Sequence, residues 1–176
     1  DIPEVLEFDA RIDATIARTE QWAAHCTYDG PYREAVLRSL ITLRLMTHGG
    51  TGGIVAAPTT SLPEHLGGVR NWDYRFCWLR DASLTLEALL ACGYRGEARL
   101  WRDWLLRAVA GDPQDLQIMY AVDGARDLPE RELDHLPGYE GSRPVRVGNG
   151  AVGQEQSDVF GEVLSALHLA RGEGLE

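Results

Sequence analysis

The chain has 176 residues, of which 44% are hydrophobic, enough for one domain with a core of its own and too apolar for disorder. Its formal charge of −10, from 27 acidic against 17 basic residues that are all Arg, argues against nucleic acid, because phosphate binding wants a basic face. No stretch approaches the roughly 20 apolar residues of a membrane span and no charged-then-apolar leader opens the chain, so the expectation is a cytoplasmic protein with no membrane partner.

Helical spacing of apolar residues predicts a first helix over Phe8–Cys26, with Ile12, Ile16, Trp22 and Ala23 on one face, and a second over Tyr32–Met46. The turn signal Asp29-Gly30-Pro31 divides them. Between His48 and Arg70 the pattern breaks into paired glycines and prolines around the short run Ile54–Ala57, and a loop of that length usually serves function. Helices resume over Asp81–Cys92 and Tyr94–Ala110, hinged at Gly93. The segment Asp112–Gly153 is irregular again, and a last helix is expected from about Gln154 through Leu169. Helix pairs separated by long loops suit an all-α toroid whose loops gather at one mouth and build a site there, where a compact bundle would use shorter connections.

Cys26, Cys77 and Cys92 are odd in number and widely spaced, which points to no disulfide framework, no zinc cluster and a reducing compartment. The five His residues show no HxH or HExxH spacing and read as scattered core or surface residues, so no metal or cofactor is called for.

The segment Asn71-Trp72-Asp73-Tyr74-Arg75-Phe76-Cys77-Trp78-Leu79-Arg80-Asp81 concentrates aromatics, Arg and Asp. A pyranose ring has flat C–H faces that suit indole and phenol surfaces, and a rim of hydroxyls that suits the donor fork of Arg and the acceptor pair of Asp. The same cluster also reads as helix packing or a protein interface. In that reading Asp81 is the N-cap of the helix it precedes and Trp78 is core.

Several ordered blocks go beyond composition. Gly53-Ile54-Val55-Ala56-Ala57-Pro58-Thr59-Thr60-Ser61, then Gly68-Val69-Arg70 leading into the aromatic segment, then Leu116–Tyr120, and Gly138-Tyr139-Glu140-Gly141-Ser142 with Pro144-Val145-Arg146 and Gly148-Asn149-Gly150-Ala151, together resemble glycoside hydrolase family 15. That family holds glucoamylases, glucodextranases and bacterial trehalases. The resemblance covers nearly the whole chain.

What it implies is an (α/α)6 barrel of which residues 1–176 form the first half, with the later helices and the usual β-sandwich domain absent. It implies a hydrolase of terminal, non-reducing α-linked glucose that works with inversion. The first expectation is glucoamylase-like, with α,α-trehalase as the alternative; the substrate is then a starch-like oligosaccharide, dextran or trehalose. A reading from another class is a non-catalytic helical module that binds carbohydrate or protein.

Arg80 and Asp81 match the family's grip on the terminal glucose hydroxyls. Tyr74 matches an aromatic that faces the ring, and Trp78 is either a subsite wall or core. Asp73 and Arg75 are expected to support the pocket from behind, and Arg146, Asn149, Gln154 and Gln156 to contact substrate or to serve loop hydrogen bonding. The match places neither the catalytic acid nor the base on Glu140, Glu162 or any other residue of the chain. The chain alone is therefore expected to be inactive, and an isolated half-barrel to self-associate through its exposed apolar faces.

Overall fold

The computed structural model describes residues 8–175. Among the described residues there are five α-helices: α1 Phe8–Ala23, α2 Arg33–Leu45, α3 Leu79–Ala91, α4 Arg95–Ala108 and α5 Asp158–Gly172. Four two-residue strands, β1 Cys77–Trp78, β2 Met119–Tyr120, β3 Arg131–Glu132 and β4 Arg146–Val147, form two antiparallel pairs, β1 with β2 and β3 with β4. The class is all-α, as expected. No helix among the described residues is long and apolar enough to cross a membrane.

The core sits where α3, α4 and α5 meet. Leu79, Ala82, Leu86 and Leu90 of α3 pack with Ala98, Trp101, Trp104 and Leu105 of α4 and with Val159, Val163, Ala166 and Ala170 of α5. Small residues at Ala82, Ala98, Ala166 and Ala170 leave room for the two indoles, so large and small side chains interdigitate. Trp104 Nε1 donates to Val122 O at 2.9 Å, which satisfies a buried polar group at the end of this layer. A smaller cluster of Leu40, Leu89, Cys92 and Tyr94, flanked by Trp22, Cys26, Tyr28 and Val36, joins α1 and α2 to the rest.

The structure moves several expected boundaries. Helix α3 begins two residues before Asp81, with Trp78 at its N-cap and no side chain capping it. Asp81 is therefore a first-turn carboxylate, favoured there by the helix dipole, and the N-cap reading is corrected. The start is set from outside: the Leu79 N–H donates to Ile118 O at 3.0 Å, extending the β1–β2 pair into the helix. Helix α5 begins at Asp158, because Gly150–Gly153 ahead of it wind into a 3-10 turn that Asn149 caps through the Ala151 N–H. Helix α1 stops at Ala23, before Cys26.

The two long loops interlock. The Thr60 and Ser61 hydroxyls both donate to Arg146 O, at 2.7 and 3.0 Å, and the Gly67 N–H donates to Ser142 Oγ at 2.8 Å. Asn71 Nδ2 donates to Pro144 O at 3.2 Å. Segments far apart in sequence thus form one layer across the N-terminal end of α3.

Candidate substrate-binding site

A cavity of about 400 Å³ opens in this loop layer, within the range of small-ligand pockets. Trp72, Tyr74 and Trp78 supply aromatic walls, and Glu130, Asn149 and Gln154 supply polar edges. The aromatics are half-buried, so each presents part of a ring to the opening. β1 fixes Trp78 by pairing it with Met119. The Trp78 Nε1–H is buried with no hydrogen-bond partner among the described residues. Burial pushes the Tyr74 phenol above its ordinary range, and the nearby Glu64 carboxylate adds to the effect, so Tyr74 is a neutral phenol at physiological pH.

Behind the aromatics stands Asp73, fully buried. Arg75 grips it through a fork, Nε to Oδ1 at 2.9 Å and Nη2 to Oδ2 at 2.8 Å, and the Arg75 N–H adds a bond to Oδ1 at 3.1 Å. That hydrogen bonding to Asp73 raises the Arg75 pKa further still. Asp73 Oδ2 also accepts from the Gly148 N–H at 3.1 Å, and its backbone O accepts from Asn149 Nδ2 at 2.9 Å. Gly148 lies at φ +83, and a Cβ there would meet Pro129 O at 2.0 Å, so only glycine lets the loop pass.

Arg80 and Asp81 sit at the edge of this arrangement and do not line the cavity. The Arg80 guanidinium lies 5.9 Å from the centroid of the Trp78 ring, and Nη1 donates to Gln156 Oε1 at 3.2 Å. Its Nη2 is 3.7 Å from Asp81 Oδ2, and its Nη1 3.4 Å from Asp158 Oδ2. Both side chains remain nearly half exposed, at 42% and 49%, so their polar atoms are available to a ligand.

Of the residues expected from the sequence, the structure brings Tyr74, Trp78, Asn149 and Gln154 to the cavity, and Arg80 against Trp78 with Asp81 beside Arg80. Asp73, Arg75 and Arg146 lie behind. Asn149 spends its side chain on the loops, accepting from the Ala151 N–H and donating to Asp73 O. Glu140 and Glu162 do not line the cavity. Four lining residues, Trp72, Glu130, Gly150 and Ala151, are outside the expected site residues. Trp72 stands inside the aromatic segment, where its type alone was a usable signal; Glu130 lies in a polar loop that carries none.

The model of the family described as Glycosyl hydrolases family 15 matches residues 30–176. The chain belongs to this family. A protein named Trehalase from Thermoplasma acidophilum is 42% identical over 164 residues, covering 93% of this chain and 28% of that relative. One of the same name from Mycolicibacterium smegmatis is 46% identical over 144 residues, covering 80% and 22%. A third, from Mycobacterium tuberculosis, is 39% identical over 174 residues, covering 95% and 26%. The chain thus spans about a quarter of the length of the curated relatives it matches. No solved structure matches it significantly. As a family 15 chain, it carries the aromatic segment Asn71–Asp81 within the matched region.

Proposed function

We propose that this chain is the glucose-gripping part of a family 15 trehalase and forms part of an (α/α)6 toroid. The observation that carries the reading is the three-aromatic cavity, with the Arg80 guanidinium 5.9 Å from the ring of its Trp78 wall and Asp81 3.7 Å from Arg80. That the relatives are named Trehalase supports trehalose over the starch-like chain end expected first.

In this reading Trp72, Tyr74 and Trp78 meet the faces and edges of a terminal glucosyl ring, while Arg80 donates to its hydroxyls and Asp81 accepts from them. Water then attacks the anomeric carbon as the glucosidic C–O bond breaks. A carboxylic acid protonates the leaving oxygen and a carboxylate about 6.5–9.5 Å away takes the proton of water. That acid–base pair is assigned to no residue of this chain, whose part is to bind and orient.

The test uses the full-length protein on trehalose, maltose, isomaltose and dextran, with the product anomers followed by NMR. Trehalose is expected to be the best substrate. It should release one glucose inverted to β and one that keeps the α configuration. Asp81→Asn is expected to lower kcat/KM by on the order of a hundredfold or more, through loss of a charged hydrogen bond to the reacting sugar. Turnover of maltose without trehalose would return the reading to a glucoamylase, and wild-type turnover by the Asp81 variant would remove that residue from the grip.

A further inference from the structure

Arg146 touches two walls of the cavity without lining it. Its guanidinium carbon lies 4.7 Å from the centroid of the Trp72 ring, and its Nε stands 3.3 Å from Glu130 Oε1. Trp72 and Glu130 line the cavity, and Arg146 does not. The guanidinium is held from other directions as well, with Nη1 donating to Val69 O at 2.8 Å and Nη2 to Glu132 Oε1 at 3.3 Å. Its backbone is fixed on both sides, since the Arg146 N–H donates to Ser61 Oγ at 2.7 Å and its O accepts from Thr60 Oγ1 at 2.7 Å. The side chain is only 11% exposed.

We propose that Arg146 is a positioning residue of the sugar pocket, which fixes the plane of the Trp72 indole and the direction of the Glu130 carboxylate. This rests on the reading of the cavity as the sugar pocket. Trp72 is otherwise anchored at its edge, where Nε1 donates to Glu64 Oε1 at 3.2 Å on the exposed side. A cation held over the ring by three further groups removes the remaining freedom of rotation.

Glu130 is fixed in the same way. Its Oε2 accepts from the Gly150 N–H at 3.1 Å, and its Oε1 feels the Arg146 charge without an aligned hydrogen bond from Nε. The carboxylate is thus oriented while keeping acceptor capacity for a sugar hydroxyl. Only Arg can do all of this at once, because its planar fork stacks on a ring and serves separated acceptors, whereas a Lys ammonium is a single compact head.

The test follows the Trp72 indole N–H in the ¹⁵N-labelled chain, assigned by its loss in Trp72→Phe, together with titration of the full-length protein by glucose. In Arg146→Gln, the Trp72 indole is expected to shift and to lose its heteronuclear NOE, while those of Trp22, Trp101 and Trp104 keep theirs, and the sugar Kd is expected to rise tenfold or more. Arg146→Lys should fail in the same direction, and it carries the test if the Gln variant does not fold. A folded variant with a native Trp72 signal and a Kd within twofold of wild type overturns the proposal. If the wild-type full-length protein does not bind glucose, the pocket reading falls, and the indole signal alone decides whether Arg146 positions Trp72.

Discussion

Asp73 concentrates the loop layer in one side chain. Its carboxylate is fully buried and takes the Arg75 fork, the Arg75 N–H and the Gly148 N–H, while its carbonyl takes Asn149. Arg75 is 44% exposed, so the Coulombic part of the pair is screened by water. The bonds to buried N–H groups are not screened in that way. Asp73→Ala strands the Gly148 N–H and leaves Arg75 without its partner, and the expected cost is about 3 kcal/mol, the scale of a broken buried network. Urea unfolding checks it; a loss below about 1 kcal/mol would mean that the Thr60, Ser61 and Asn71 bonds hold the loops without Asp73. The residue types announced this region more readily than its roles. An Asp among aromatics reads equally as a sugar ligand or a buried hub, and the partner that decides between them lies 75 residues away at Gly148.

At the scale of elements, periodicity located all five helices, and it failed where a contact from outside the helix sets the end. Leu79 and Arg80 join α3 because Ile118 receives the Leu79 N–H, and Gln154 stays out of α5 because the Asn149-capped turn intervenes. Tyr94 is the contact that binds the α1–α2 pair to α3 and α4. It stands before α4, stacks on Trp22 of α1 with centroids 4.0 Å apart, and its hydroxyl donates to Ala23 O at 3.4 Å. Burial, with Cys26 beside it, pushes its phenol from 10.0 up to about 12. The folded state therefore keeps the proton where the unfolded chain has lost it. The stabilisation is complete below about pH 10 and is lost as pH rises through about 12, on the order of 3 kcal/mol at 1.36 kcal/mol per unit. Urea midpoints measured from pH 8 to pH 12 should fall in wild type and stay flatter in Tyr94→Phe. Parallel curves would place the alkaline loss elsewhere.

The whole molecule is lopsided. The core of α3, α4 and α5 is fully formed, whereas α1 buries only Ala23 and leaves Phe8, Ile12 and Ile16 exposed at 70%, 44% and 50%. These residues recur every four positions, the spacing of a stripe made to be covered. The sequence showed that stripe clearly, and it could not show that nothing among the described residues covers it. Leu45 and Leu164, each 68% exposed, add apolar surface on α2 and α5. Apolar surface on this scale marks an interaction face, and the hydrophobic effect draws two such faces together once concentration offsets the entropy of association. The isolated chain is therefore expected to self-associate, its sedimentation coefficient rising between about 1 and about 100 μM. The double substitution Ile12→Glu with Ile16→Glu places two carboxylates in the stripe without touching the core, and it should hold the chain monomeric over the same range. Association undiminished in that variant would move the contact to Leu45 or Leu164, and a wild-type chain that stays monomeric throughout would refute the expectation.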